Sequence, residues 1–449
     1  METRILAAYA ANLSYKDIPT RIVERSKDCF LDSLGAAIYG ADLPWSRILV
    51  GYAKRYGAGG KSSILGRAGE GRVQAPLAAL VNGALTHSFE LDNVRQPGAG
   101  VHAGATLIPA GLAVAEELEA GGEELLTAFV AGCEVMFRIG HACRETSEKL
   151  GFHAPALTGT FGAAATGGRL MRLDPLQMAH AFGIAGSLSS GLLEFVKSGT
   201  GGMVKRLHLG RAAEGGVLAA SLAKEGFTGP ETILEGKFGF LQAYSREPDL
   251  ARLTRALGSE YEVLNICMKR FPCHINAQAP IQAVQELRAE QPFLAGDVEE
   301  MIIEGGEKIV THHNILEPKD VMMAQYSIPF SVALSLCRDP EDPRSFSDAA
   351  LRDPEILSLS RRIKPVLDQA SKRIEGYRGV QITVRLKDGR TLKREVKEFK
   401  GSPADPLSRA EVSQKFLRLA SAMGKEASER LLQRIINLEQ EDDLGTLLS

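Results

Sequence analysis

Four polar islands interrupt otherwise apolar, glycine-rich sequence, and their residue types suit one kind of chemistry. The first is His87-Ser-Phe-Glu-Leu-Asp92-Asn93, followed by Arg95 and His102. The second is Gly151-Phe-His153, ahead of Thr158-Gly-Thr160. The third is Lys205-Arg206-Leu-His208, after Gly199-Thr-Gly-Gly-Met203, and the fourth is Lys269-Arg270-Phe-Pro-Cys-His274. Each joins a cation or an imidazole to nearby glycine or proline, where backbone can approach a ligand closely. Lysine and histidine cations bind carboxylates through charge-assisted hydrogen bonds. Neutral imidazole, with an ordinary pKa of about 6.5, moves protons at neutral pH. Two lysines and several imidazoles beside few acids make a site for a carboxylate-rich small molecule. Taken singly, each residue has an ordinary alternative: His87 and His180 as satisfied helix histidines, Arg206 or Arg270 as solvated cations.

Other signals fail on spacing. Gly57-Ala-Gly-Gly-Lys61-Ser62 looks like a phosphate loop, but Arg55 stands where the first glycine of that motif is required, so a turn is expected there. Gly199-Thr-Gly-Gly lacks the glycine spacing of a dinucleotide fingerprint. The nine histidines show no HExxH and no zinc spacing, and adjacent His312 and His313 point apart on a helix or strand. With no cysteine cluster, an iron–sulfur centre is excluded as well. No metal and no organic cofactor is expected.

The chain has 449 residues, 44% of them hydrophobic, which is ample for a large core. Lys plus Arg number 53 and Asp plus Glu 55, a balance that argues against a nucleic-acid footprint or a polybasic membrane anchor. The start is no secretory signal, and no run is expected to reach the ~18 apolar residues of a membrane span. Six cysteines without a CxxC pair read as reduced thiols, so the expected compartment is the cytoplasm. Apolar residues recur at helical spacing from Asp17, with Pro19 in the first turn, to Gly40, and again over 74–90, 104–120, 123–140, 159–172, 175–190 and 208–225. No strand is expected before about residue 260. Beyond it, 298–304 alternates weakly, and 379–386 and 391–398 flank Asp388-Gly389, the signal for a hairpin with a two-residue turn. Helices are expected at 276–290 and 324–337 between these strands, and from Ser408 to about 438. The fold class is therefore mostly α with a smaller α+β domain. Residues 1–265 form a helical domain, 266–405 an α+β domain, and 406–449 C-terminal helices returning to the first.

At the islands the chain resembles the MmgE/PrpD family, which includes 2-methylcitrate dehydratase, cis-aconitate decarboxylase and iminodisuccinate epimerase. Nearly the whole chain takes part, through segments such as Gly59-Gly-Lys-Ser-Ser-Ile-Leu-Gly66, Leu80-Val-Asn-Gly-Ala-Leu-Thr-His-Ser-Phe-Glu-Leu-Asp92, Lys205-Arg-Leu-His208, Lys269-Arg-Phe-Pro-Cys-His274 and Tyr326-Ser-Ile-Pro-Phe330. The resemblance implies a large helical domain built from both termini, a smaller α+β lid, a homodimer, and a site between the domains that works without a cofactor. By motif position, the site residues it implies are Asp92, His102, His153, Lys205, Lys269 and His274. Four positions depart from the family pattern: Asn93 replaces a frequent second acid, Arg95 a histidine, Ala103 the proline of a His-Pro pair, and Phe330 a tyrosine that nearby Tyr326 can replace. These departures are expected where substrate is recognised.

The functional expectation is a cofactor-free lyase, a dehydratase or decarboxylase, acting on a small di- or tricarboxylate through a carbanion- or enolate-like intermediate. Lys205 and Lys269 would stabilise the developing charge, His102 and His153 would transfer protons, and Asp92 would orient an imidazole or act as a base. Arg95, Lys205, Lys269 and His274 would bind the substrate. The alternatives are an epimerase of a dicarboxylate such as iminodisuccinate, or a catalytically degenerate carboxylate-binding protein. Neither nucleic acid nor a membrane is an expected partner.

Overall fold

The computed structural model describes residues 1–67, 69–96, 101–144, 146–196, 202–369 and 379–448. The Gly199–Gly201 stretch of the third island lies outside them. The chain is mostly helical with a smaller α+β part and divides into two compact units. The first comprises Met1–Ser88, Asp92–Ile266 and Ser408–Ser449; the second comprises Phe89–Leu91 and Cys267–Leu407.

In the first unit three helices position the first three islands: Ala75–Thr86, Ala154–Leu170 and Val204–Lys224. Small residues let them approach closely. A Cβ on Gly210 would lie 2.0 Å from the Leu80 carbonyl oxygen, and one on Gly216 would lie 2.3 Å from the Ala163 Cβ. The C-terminal helices Arg409–Leu419 and Lys425–Ile436 belong to this unit too. Lys415 reaches Asp32 of helix Thr20–Gly40 at 2.6 Å, and Lys27 of that helix reaches Glu439 at 3.1 Å.

Several expectations are corrected here. The helix expected from Asp17 starts at Thr20, and Pro19 stands just outside it. A proline disfavours helical backbone in the residue before it, and Ile18 is extended, at φ −90° and ψ 119°. Strands do occur before residue 260: Ala58–Ser63 pairs antiparallel with Arg72–Val73, and Val94–Arg95 is a further short one. Polar, glycine-rich Ala58–Ser63 shows no alternation, so its extended state was not legible. Within this strand, which is no turn, Lys61 is paired with Glu119 at 2.8 Å. Helix Gly122–Ala142 meets the length and composition of a membrane span, contrary to expectation, yet 94% of its apolar window is buried inside the protein. It is a core helix, carrying the buried Glu134–Arg138 pair at 2.8 Å.

The second unit centres on a four-stranded sheet in the order Ile363–Leu367, Val298–Gly305, Val380–Leu386, Thr391–Val396. The first two strands run parallel and the other neighbours antiparallel. Helix Gln278–Glu290 packs on it. The hairpin forms where expected but turns through three residues. Leu386 N–H donates to the Arg390 carbonyl, Gly389 N–H donates to Leu386, and Gly389 has φ 89°. That is a type I turn closed by a left-handed glycine, in which Asp388 needs no positive φ. Strand Ile363–Leu367 was unforeseen because Pro365 interrupts it, and an edge strand is where a sheet tolerates proline. All six cysteines are free, as expected.

Candidate active site

In the first unit, helix Ala75–Thr86 ends at His87, and the chain then turns so that Asp92 faces back toward it. One carboxylate oxygen, Asp92 Oδ2, lies 2.9 Å from His87 Nδ1 and 2.7 Å from His102 Nδ1. Asp92 and His87 are both fully buried. The two rings meet edge to face with centroids 4.7 Å apart. An ionised carboxylate only accepts, so both Nδ1 atoms carry a proton, and in the neutral ring of His87 the Nε2 atom carries the lone pair. An acid that orients a neutral imidazole in this way leaves the far nitrogen as a base.

The second cluster lies on the two long helices. His153 precedes helix Ala154–Leu170, its N–H held by the Gly191 carbonyl at 3.0 Å. Lys205 and His208 sit three residues apart on one face of helix Val204–Lys224. His153 Nδ1 and His208 Nδ1 are 3.0 Å apart, so one donates and the other accepts. The His87 and His153 ring centroids are 6.4 Å apart, which joins the two clusters. Phe195 closes one side edge-on, 5.5 Å from the His153 ring and 5.7 Å from the His208 ring.

Burial pushes the His87 pKa well below the usual imidazole value, outweighing the nearby Asp92 charge, and Lys205 pushes the same way. His153 is also held well below it, first by burial and then by His208 and His102. His208 is lowered by burial and by Lys205. The cluster thus sets neutral imidazoles, able to accept protons, beside a buried lysine that is 3% exposed.

His87, Asp92 and His102 also form, among the described residues, a group whose ligand atoms lie within 4.8 Å of one another, close enough for a metal ion. The contacts of 2.7 and 2.9 Å are hydrogen-bond lengths. Ligand atoms at zinc distances in a tetrahedron stand about 3.3 Å apart. The set fits an orienting acid better than a coordination sphere.

In the second unit, Lys269 is 1% exposed and its Nζ lies 3.2 Å from Glu90 Oε2. Gln278 clamps the following loop: its Oε1 accepts from the N–H groups of Arg270 and Phe271, and its Nε2 donates to the Phe271 carbonyl, each at 3.0 Å. His274 Nδ1 accepts from Asn276 N–H at 3.3 Å, which leaves its proton on Nε2. Its ring stacks on His313 at 4.0 Å and lies 5.0 Å from Tyr326. Tyr326 is therefore the tyrosine beside His274, while Phe330 is a fully buried core residue.

Two expectations about recognition change. Arg95, expected to bind substrate, already holds a carboxylate: its Nε and Nη2 lie 2.9 and 2.8 Å from Glu262 Oε2. Asn93 is structural, donating to Asp32 at 3.1 Å and Ser33 at 3.0 Å and accepting from Gly104 N–H at 3.0 Å. His87 and His208 stand in the islands without an assigned role in the sequence, Tyr326 was foreseen as the substitute tyrosine, and Glu90 and His313 were not foreseen as partners. The usable signal was spacing: His208 lies one helical turn beyond Lys205.

The MmgE/PrpD N-terminal domain matches residues 4–253 and the MmgE/PrpD C-terminal domain residues 271–441. A cis-aconitate decarboxylase of Homo sapiens is 28% identical over 99% of this chain and 93% of its own length. Another, of Aspergillus terreus, is 26% identical over 99% of this chain and 95% of its own length. Matched along nearly its whole length, the chain belongs to the MmgE/PrpD family and is an enzyme of lyase or isomerase type.

Proposed function

We propose that the protein is a cofactor-independent lyase that decarboxylates cis-aconitate or a closely similar unsaturated tricarboxylate. The observation that carries the proposal is the Asp92 oxygen shared by two imidazole Nδ1–H groups, beside the buried Lys205. Full-length similarity to cis-aconitate decarboxylases supports the choice of substrate. In the proposed reaction the carboxylate on the saturated carbon leaves as CO2. Its bonding pair moves into the allylic system, and one proton is delivered to the far alkene carbon. The negative charge that develops spreads onto a retained carboxylate. A fixed ammonium there stabilises the transition state more than the ground state, and such electrostatic stabilisation commonly contributes most to catalysis. Lys205 takes that role as a point charge. His102, oriented by Asp92, and His153, paired with His208, handle the proton.

Epimerisation of a dicarboxylate is the second reading. It is favoured by the two separately oriented imidazole sets, since inversion at one carbon needs an acid and a base. One experiment separates the readings: incubation with cis-aconitate, citrate, methylcitrate and iminodisuccinate in deuterated water. CO2 release with one deuterium in the product supports the decarboxylase. Deuterium at an α-carbon without CO2 supports the epimerase. Tight binding without turnover or exchange would leave only a carboxylate-binding protein.

A further inference from the structure

Glu90 combines three features that seldom occur together in a residue kept for packing alone. It has φ 55°, a left-handed backbone that costs a non-glycine residue stability. It is 2% exposed, and its carboxylate meets the equally buried Lys269 at 3.2 Å. Its backbone is also over-determined. Phe89 and Leu91 on either side are buried at 4% and 1% exposure. The Gln325 side chain donates both to the Phe89 carbonyl at 2.8 Å and to the Pro272 carbonyl at 2.9 Å. His274 N–H in turn donates to the Gln325 carbonyl at 2.8 Å. One glutamine thus ties the strained tripeptide to the loop that carries Lys269 and His274.

We propose that Glu90 is a positioning residue, which keeps the Lys269 ammonium charged and fixed in place to receive a substrate carboxylate, and that its backbone strain persists for this purpose. The proposal rests on the reading of Lys269 as a carboxylate-binding residue. The physical reason is that a buried ammonium without a counter-charge loses its proton or seeks water. With Glu90 beside it, Lys269 stays cationic although buried, where solvent screens its charge least. Anchoring the glutamate on strained backbone held by Gln325 directs the charge, because the carboxylate cannot follow the lysine if it swings away.

The test uses the full-length protein and cis-aconitate, with binding by titration calorimetry, turnover by CO2 release, and melting temperature. Lys269→Met is expected to weaken binding and raise KM at least tenfold. Glu90→Gln is expected to do the same, with a smaller change in kcat. The double variant should bind within twofold of Lys269→Met alone, because Glu90 acts only through the lysine. Glu90→Asp keeps the charge and should recover part of the loss. Glu90→Gly accepts the positive φ and should melt no lower than Glu90→Gln while being as impaired. A purely structural glutamate would lower the melting temperature but leave KM of the folded protein unchanged. If Lys269→Met binds and turns over like the unaltered enzyme, the reading of Lys269 fails. If Lys269→Met is impaired while Glu90→Gln is not, or if the two effects add in the double variant, that reading stands and the proposal for Glu90 is overturned. Should Glu90→Gln fail to fold, Glu90→Asp and Glu90→Gly decide on the same criteria.

Discussion

Buried neutral imidazoles leave a thermodynamic signature that can be measured without substrate. His87 is fully buried and its folded pKa is depressed, chiefly by burial. In the unfolded chain the same ring takes up a proton as pH falls through about 6.5. The unfolded state therefore binds more protons below that point, and stability falls with pH until the folded ring titrates too. While only the unfolded ring is charged, the slope is about 1.4 kcal/mol per pH unit for each such histidine. Glu134 acts oppositely: burial raises its pKa to about 7, so its contribution is greatest in acid and is lost as pH rises through that value. A comparison of variants cancels this opposing contribution. His87→Asn is the suitable change, because the amide nitrogen superposes on Nδ1 and keeps a donor to Asp92 Oδ2 while removing the titrating ring. The asparagine protein is expected to be less stable at neutral pH, from the lost ring volume. Its stability should fall less steeply in acid, by about 1.4 kcal/mol per pH unit between about pH 6 and 5. Urea unfolding followed by circular dichroism across that range measures the difference. Parallel curves for the two proteins would refute the assignment of His87 as a neutral ring in the folded state.

Three further outcomes follow from the same geometry. Lys205→Ala and His153→Ala should each lower kcat by about a hundredfold or more, measured as CO2 release; full activity in both would remove the site assignment. Asn93→Asp should destabilise the fold by about 3 kcal/mol, because it sets a second buried carboxylate against Asp32; an unchanged melting temperature would contradict this. Dialysis against EDTA should leave turnover intact, since the short Asp92 contacts are those of hydrogen bonds; activity lost on chelation and restored by a divalent ion would make His87, Asp92 and His102 metal ligands.

The architecture was legible where a single element announces its own period. Amphipathic helices and the Asp388-Gly389 hairpin are local patterns, and each formed close to where it was expected. Strands Ala58–Ser63 and Ile363–Leu367 were missed because glycine and proline mask alternation, and the second takes its extended state from Val298–Gly305, distant in sequence. The islands supplied the residue types of the candidate site but could not assign partners. Arg95 and Asn93 look like recognition residues until Glu262 and Asp32, each far along the chain, are seen to hold them. Glu90 is not marked out by the sequence at all; its positive φ and its lysine single it out. Pairing of buried charge is decided by tertiary contact, which no local pattern encodes.

The glycines reconnect the two levels. Imidazoles can share one carboxylate and one another only if the backbones bearing them come unusually close. Helix Ala75–Thr86, which ends at His87, meets helix Val204–Lys224, which begins with Lys205 and His208, where a Cβ on Gly83 would lie 2.7 Å from the Gly210 Cα. Helix Ala154–Leu170, preceded by His153, meets the same helix at Gly216, beside Ala163. At both crossings the obstacle to a larger residue is in part backbone, which cannot rotate aside as a side chain can. The close approach brings the polar groups together, and the apolar helix faces around them exclude water. Exclusion of water lowers the imidazole pKa values and strengthens the field of the lysine. The glycine-rich composition and the neutral histidine cluster are thus consequences of one packing arrangement, in which helix ends that carry no charge pattern of their own deliver the candidate chemistry.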